Sequence, residues 1–292
     1  MNRNLLTIMM VCAMIAWGMS WSSIKIMNGY MPTAELVFTR YAITAIALFF
    51  VVLLLRLRFF IDKKSLIIAI LTALITVIYG YVVFLGTELG TASLAGALIN
   101  ALSPINTFII MAIFYKRKIE KLDMFALGLG FAGTMLMLGA WRLDLSKIFT
   151  AYNLYFVLGA WLWSILTVAI SKATINSIVF SFYMYFFTTL FALLFIDVGA
   201  FNLADTDARF WINALFVSVI STAIATTIFF LGSKRLGANY VSSFMFVTPV
   251  SAIAFGAYAL GEKLELWTII GAVAAIAAVY MLNRIGVFSK KR

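Results

Sequence analysis

The sequence predicts an all-α integral membrane protein whose ten transmembrane helices form two inverted five-helix repeats. Three observations carry this prediction. Of the 292 residues, 64% are hydrophobic and only 11% are charged, whereas soluble domains have about 25% charged residues. The apolar residues fall into ten runs, each about as long as the roughly 17–25 residues that cross a bilayer. Features of the first half of the chain recur in the second.

The first half is predicted to hold five helices. Its first run follows Arg3 and is too long for the apolar part of a typical secretion signal, so we assign it to a retained helix. Basic clusters at 56–64 and 116–121 separate the second helix from the third and the fourth from the fifth. The predicted spans are 5–26, 34–55, 66–86, 92–115 and 122–141.

The second half is predicted to hold five more helices. The longest connections, near 142–152 and 201–209, are too short to contain a soluble domain. A strand interpretation is excluded because the runs are too long and show no sustained period of two. The predicted spans are 153–171, 177–200, 210–231, 239–260 and 265–283.

Basic residues predict the orientation of the helices, because cytoplasmic loops carry an excess of Lys and Arg. With a cytoplasmic N-terminus, 16 of the 22 Lys and Arg residues lie on the cytoplasmic side and five lie outside, while Arg40 lies within the second helix. Both termini are then cytoplasmic, and a multi-pass protein of the cell (inner) membrane is expected. The net charge of +11 is attributed to these loops and not to a nucleic-acid partner.

The two halves resemble each other at an offset of about 145 residues. Trp17 corresponds to Trp163, and Ser103-Pro104 corresponds to Thr248-Pro249 in the middle of equivalent helices. Because five spans are an odd number, the second repeat must be inverted in the membrane. The loop charges agree, since the basic segment 116–118 corresponds to 261–263, which contains Glu262. We place the repeats at 1–145 and 146–292.

The chain resembles the ten-helix, EamA-type members of the drug/metabolite transporter superfamily. One departure is Tyr115-Lys116-Arg117-Lys118, where the family often has Leu-Gly-Glu-Arg. The segments that carry the resemblance are Ala16-Trp17-Gly18 with Lys25, Phe38-Thr39-Arg40-Tyr41, Thr91-Ala92-Ser93-Leu94-Ala95, Leu102-Ser103-Pro104, Arg235-Leu236-Gly237-Ala238, Thr248-Pro249 and Leu260-Gly261-Glu262-Lys263-Leu264.

The resemblance implies secondary transport, by export or exchange, of small metabolites such as neutral or aromatic amino acids and related amphipathic compounds. Inverted repeats allow alternating access around one site near the midplane. Helices 1, 3, 4, 6, 8 and 9 are expected to surround that site in a monomer or homodimer, with helices 5 and 10 more peripheral. No cofactor or metal is expected. The alternative to a transporter is a membrane-embedded enzyme or a channel-like facilitator, although the absence of His removes the commonest zinc ligand.

Two prolines within helices indicate where the substrate site lies. Pro104 and Pro249 each remove one backbone hydrogen bond, and paired interrupted helices indicate a transporter site. Simple kinking for packing is the alternative. Hydroxyl, amide and aromatic side chains on the same and neighbouring helices could line the site or merely fill the core. The residues predicted to bind substrate are Trp17, Trp21, Thr76, Tyr79, Asn100, Ser103, Trp163, Ser221, Thr222, Phe246 and Thr248.

Three ionisable residues are candidates for a charge partner or for ion coupling. Arg40 could bind a substrate carboxylate, or it could point outward and pair with Glu35, and the sequence favours the pairing. Glu88 at the outer end of the third helix could couple protons, although a solvated loop charge is the simpler interpretation. Charged groups within a membrane span are rare and usually functional. Because no carboxylate lies deep in a span, obligatory proton antiport is not indicated.

Overall fold

A computed structural model describes residues 3–90, 92–140, 151–197, 203–260 and 266–288, which form ten helices and no strand. Seven of these helices are long and apolar enough to cross a membrane, and two shorter apolar helices accompany them. The predicted all-helical, multi-pass membrane fold is confirmed. The helices are α1 (Arg3–Met27), α2 (Thr33–Leu54), α3 (Lys63–Leu89), α4 (Ala92–Tyr115), α5 (Lys121–Met137), α6 (Ala151–Ile170), α7 (Ser177–Leu193), α8 (Ala208–Leu236), α9 (238–260) and α10 (Leu266–Phe288).

Side-chain caps fix where several helices begin. The Asp62 carboxylate accepts the Ser65 N–H at the start of α3, Asn176 caps α7, and Asp207 accepts the Phe210 N–H at the start of α8. Short polar side chains satisfy helix N–H groups that have no partner within the helix. Gly237, with φ of +93°, makes the sharp turn between α8 and α9 that a residue with a side chain would resist.

Two helices depart from regular α geometry. Within α8, residues Phe216–Thr226 form a π-helix, so the helix runs as α, π and α segments. Within α9, the 3₁₀ turn Phe244–Phe246 lies just before Pro249, between the α segments Ala238–Ser243 and Val247–Leu260. Pro104 in contrast lies inside an uninterrupted α4. The equivalent prolines therefore sit in different local geometries.

The helix contacts keep their pattern when the two halves are exchanged. In this exchange each helix of the first half is replaced by the helix five places later, and the reverse. The contact of α4 with α6 then corresponds to that of α9 with α1. In the same way, the contacts of α3 with α6 and α7 correspond to those of α8 with α1 and α2. The pairs α5–α10 and α2–α7 each map onto themselves under this exchange. This is the two-repeat architecture that the sequence predicts, and five spans per repeat make the second repeat inverted.

Helices α5 and α10 touch through glycines. A Cβ atom added at Gly133 would lie 2.6 Å from the carbonyl oxygen of Gly271, and one added at Gly271 would lie close to the Gly133 oxygen. The two backbones are thus in direct contact, as small residues permit in membrane helices. Gly18 allows a similar approach of α1 to the backbone of Thr248 in α9.

Several sequence features lie outside the described residues. They include Thr91, Trp141, Arg142, Lys147, the segment Gly261-Glu262-Lys263-Leu264-Glu265, and Lys290, Lys291 and Arg292 at the C-terminus.

Candidate functional site

A small cavity of about 40 Å³ lies in the middle of the bundle. Side chains of α1, α2, α3, α4, α6, α7, α8 and α9 line it, whereas α5 and α10 supply none of the lining residues. Every lining side chain is buried, so the cavity is enclosed. The lining residues are Trp17, Ser20, Trp21, Ile24, Arg40, Tyr41, Thr76, Tyr79, Val83, Asn100, Trp163, Tyr185, Ser221, Thr226 and Met245.

Aromatic rings from three helices make one wall of the cavity. The rings of Trp17 and Trp163 meet edge to face with centroids 5.0 Å apart, and Tyr79 packs 5.2 Å from Trp163. Phe229 lies behind them, 5.0 Å from Trp17 and 5.8 Å from Trp163. These separations are typical of favourable aromatic pairs. The wall therefore offers ring faces and edges to an apolar or flat ligand.

The two equivalent tryptophans differ in their hydrogen bonding. Trp17 donates its indole N–H to the carbonyl oxygen of Ser221 in α8 at 2.9 Å. Trp163, at the corresponding position of α6, is buried and its indole N–H has no hydrogen-bond partner. Buried donors are normally satisfied. The cavity wall thus contains one hydrogen-bond donor without a partner, the indole N–H of Trp163.

Arg40 carries the only charge among the lining residues of the described cavity. The Thr222 hydroxyl oxygen accepts hydrogen bonds from its Nε at 3.2 Å and its Nη2 at 3.1 Å, and the Nη1 atom has no partner. The guanidinium also lies 5.3 Å from the ring centroid of Tyr41. Tyr41 in turn stacks on Tyr185 of α7 with centroids 5.7 Å apart.

The pairing of Arg40 with Glu35 that the sequence favours does not occur. Glu35 is buried, but its Oε1 accepts the backbone N–H of Asp197 and its Oε2 has no hydrogen-bond partner. The guanidinium turns instead to α8, because Thr222 projects from the π-helical segment toward α2. Glu88 is exposed outside the cavity and accepts a hydrogen bond from Thr33 at 3.2 Å.

The π-helical segment of α8 positions one side of the cavity. The hydroxyl of Thr222 donates to the carbonyl of Val217, and that of Thr226 donates to Ser221, each five residues earlier. Thr44 of α2 donates to the carbonyl of Ser218 at 3.0 Å. π-Helical geometry is rare in proteins, and where it occurs within an α-helix it is often at a functional site. Here the segment presents Ser221 and Thr226 to the cavity and holds Arg40.

The structure brings many of the predicted site residues together. Seven of the eleven predicted substrate-binding residues line the cavity, and Arg40 joins them. The seven are Trp17, Trp21, Thr76, Tyr79, Asn100, Trp163 and Ser221.

Four predicted residues lie in helix contacts beside the cavity. Ser103 donates to the carbonyl of Ile99, Thr248 lies against the sulfur of Met14, and the Phe246 ring fills the space beside Gly130. Thr222 contacts Arg40, as described above. Pro104 and Pro249 are also absent from the lining.

The predicted set of substrate-binding residues omitted seven lining residues: Ser20, Ile24, Tyr41, Val83, Tyr185, Thr226 and Met245. Ser20 and Ile24 lie three and seven positions after Trp17, which is a helical spacing that could have identified them. Tyr185 lies among other aromatic residues of α7, and no pattern in the sequence distinguishes it.

Polar contacts join the ends of several helices on the side where α1 begins and α10 ends, which we call the terminal side. Thr174, after α6, donates to Asp62 at 2.7 Å, and its hydroxyl lies 2.9 Å from that of Ser65. Lys234 of α8 donates to the carbonyls of Thr174 and Ile175. Hydrogen bonds from Ser65 and Thr174 lower the pKa of Asp62 to about 2.

Similar polar contacts join helix ends on the opposite side, which we call the distal side. Lys25 of α1 donates to the carbonyls of Thr87, Glu88 and Gly90, which end α3, at 2.6, 3.1 and 3.0 Å. Tyr30 donates to Asp207 at 2.8 Å. Hydrogen bonds from the Phe210 N–H and the Tyr30 hydroxyl lower the pKa of Asp207.

Comparisons with known proteins agree with this architecture. The model of the EamA-like transporter family matches residues 5–139 and again residues 150–284. An "Uncharacterized transporter" of Archaeoglobus fulgidus is 23% identical over 211 residues, covering 71% of this chain and 72% of that protein. The "Uncharacterized transporter YxxF" of Bacillus subtilis is 24% identical over 181 residues, covering 61% and 57%. A solved crystal structure aligns over 99% of this chain and 100% of its own with a TM-score of 0.75 at 16% identity, which shows the fold alone.

Proposed function

The chain belongs to the EamA-like transporter family, and on that premise we propose that it carries neutral or aromatic amino acids and related amphipathic compounds by alternating access. The enclosed cavity with its aromatic wall is the observation that carries this proposal. A site that binds a ligand is expected to be concave and mostly apolar, with a few placed polar groups. Rings of α1, α3 and α6 supply the apolar part here, and Asn100, Thr76 and Ser221 supply polar groups.

Two features support alternating access. The helix contacts are exchangeable between the halves, which allows inward- and outward-facing states to be formed by the same packing with the halves exchanged. Contacts of Thr174 join α3 to the segment after α6 on the terminal side, and contacts of Lys25 join α1 to α3 on the distal side. Opening one set while the other stays closed would expose the cavity to one side at a time.

We further propose that the terminal side faces the cytoplasm of a cell whose inner membrane holds the protein, because most Lys and Arg residues fall there. Export or exchange is proposed as the direction of transport. No Asp or Glu is among the described lining residues, which favours uniport or exchange over obligatory coupling to protons. We propose that the protein acts as a monomer or a homodimer.

Counterflow in proteoliposomes tests the proposal. Vesicles loaded with unlabelled phenylalanine should accumulate radiolabelled phenylalanine from outside, with a saturable rate and with competition by leucine. The recovered label should be chemically unchanged, which distinguishes transport from an enzymatic reaction. Flux that is linear in concentration and unaffected by internal phenylalanine would instead indicate a channel-like facilitator. Absence of counterflow with any of the twenty amino acids would refute the proposed substrate class.

A further inference from the structure

Arg40 is a buried cation that uses two of its five N–H donors in hydrogen bonds. The residue is 8% exposed, and a guanidinium has five N–H donors. One edge of the group, Nε and Nη2, is held by the Thr222 hydroxyl, while Nη1 has no partner. A charge at this depth with unused donors is unfavourable in the folded protein. The arrangement therefore needs an explanation beyond helix packing.

No acidic residue neutralises this cation within the described part of the chain. Its polar contact is Thr222 and its aromatic contact is Tyr41. Glu35 is directed to the backbone of Asp197. The cavity that Arg40 lines has no Asp or Glu among its lining residues. An anionic group that enters the cavity would thus supply the missing counter-charge.

The surroundings of Arg40 restrict the kind of anion. The cavity offers one cation, so a single negative charge is matched, whereas a phosphate dianion would remain half compensated. Six of the other fourteen lining residues are aromatic, and a second unpartnered donor, the indole N–H of Trp163, belongs to the same cavity. A guanidinium edge matches the two oxygens of a carboxylate in geometry as well as in charge.

We infer that Arg40 binds the carboxylate of the substrate through its free Nη1 edge, and that this carboxylate, not the ammonium group, is the recognised polar group. The inference rests on the transport function proposed above and makes it more specific. The substrate class is monocarboxylates with an apolar or aromatic body, of which aromatic amino acids are one subset. Thr222 is a positioning residue, since it fixes the opposite edge of the guanidinium.

Four matched ligands separate the two polar groups of an amino acid. Phenylalanine has both groups, 3-phenylpropionate has the carboxylate alone, and phenylalaninamide and phenethylamine lack the carboxylate. Each is added to the purified wild-type protein in detergent, and the unfolding temperature is followed, because a ligand that binds the folded state raises it. Phenylalanine and 3-phenylpropionate should bind with similar affinities. The amide and the amine should bind at least tenfold more weakly.

Arg40→Gln provides the second arm of the experiment. Affinity for phenylalanine and 3-phenylpropionate should fall at least tenfold, while the ligand-free unfolding temperature should equal or exceed that of the wild type because an unpaired buried charge is removed. Met135→Leu, on α5 away from the cavity, is the matched control and should keep wild-type binding. If Arg40→Gln does not fold, the wild-type ranking of the four ligands decides alone.

The two proposals fail in different ways. Equal binding of phenylalanine and phenylalaninamide to the wild type, or unchanged carboxylate binding by folded Arg40→Gln, overturns the assignment of Arg40 and leaves the transport proposal intact. If none of the four ligands binds the wild type, aromatic monocarboxylates are not substrates and the inference is overturned, while counterflow with the other amino acids still decides the transport proposal.

Discussion

At the scale of single residues, the cavity wall depends on a few large rings and one buried amide. Trp163 contacts Trp17, Tyr79 and Phe229, so its removal would open the wall and take away the indole N–H. Asn100, which also lines the cavity, donates to the carbonyl of Gly96 one turn earlier.

We expect Trp163→Ala and Asn100→Ala each to lower phenylalanine counterflow about tenfold or more, which corresponds to about 1.4 kcal/mol of lost binding. The amount of folded protein in the vesicles should stay near the wild-type amount. Counterflow is measured with the quantity of reconstituted protein matched between samples. Met135→Leu, remote from the cavity, should transport normally. Normal transport by both cavity variants would place the substrate elsewhere in the bundle.

The residue scale is also where sequence reasoning reached its limit. Trp17, Trp163 and Asn100 were predictable, because a large ring or an amide deep in a span needs a reason to be there. Thr248 was predicted to face the cavity because it is next to Pro249, and Phe246 was predicted to belong to its apolar wall, yet they pack on Met14 and Gly130. A helix that is apolar on all sides carries no pattern that identifies its cavity-facing side.

At the scale of elements, apolar length predicted the helices well and backbone irregularity poorly. The predicted ends of α2 and α4 agree with the structure to within one residue. The π-helical segment Phe216–Thr226 was not predicted. Its stability depends on tertiary contacts, such as those of Thr222 with Arg40 and of Ser221 with Trp17, and such contacts leave no local signal.

The glycine contact between α5 and α10 should be intolerant of side chains. Gly271→Val would place a Cβ atom against the carbonyl oxygen of Gly133, and overpacking of this kind destabilises proteins by about 1–3 kcal/mol. We expect a lower unfolding temperature in detergent. Gly128→Ala, on the same α5 but with no atom within 4 Å of the added Cβ, is the matched control. Because Ala favours a helix more than Gly does, this variant should be as stable as the wild type or slightly more stable. Equal stability of both variants would contradict the proposed contact.

At the scale of the whole molecule, the distribution of basic residues predicts which side faces the cytoplasm. After Cys12 is replaced, a single cysteine at position 205 should react with a membrane-impermeant maleimide on intact cells. A cysteine at position 118 should react only after the cells are permeabilised. The physical reason is the excess of Lys and Arg on the terminal side. Labelling of position 118 but not of position 205 on intact cells would reverse the orientation.

The exchange of helix contacts between the halves also has a consequence for equilibrium. Two states that are built from the same contacts with the halves exchanged differ in free energy only where the two repeats differ in sequence. Trp17 and Trp163 are equivalent tryptophans, but only Trp17 donates its indole N–H in this conformation. We therefore expect the Trp163 indole N–H to be bonded, and that of Trp17 to be free, in the conformation with the halves exchanged. Both states are then expected to be populated without ligand, which spin-label distances across the distal side would show as two maxima. A substrate needs only about 1.4 kcal/mol of differential affinity to change such a ratio tenfold.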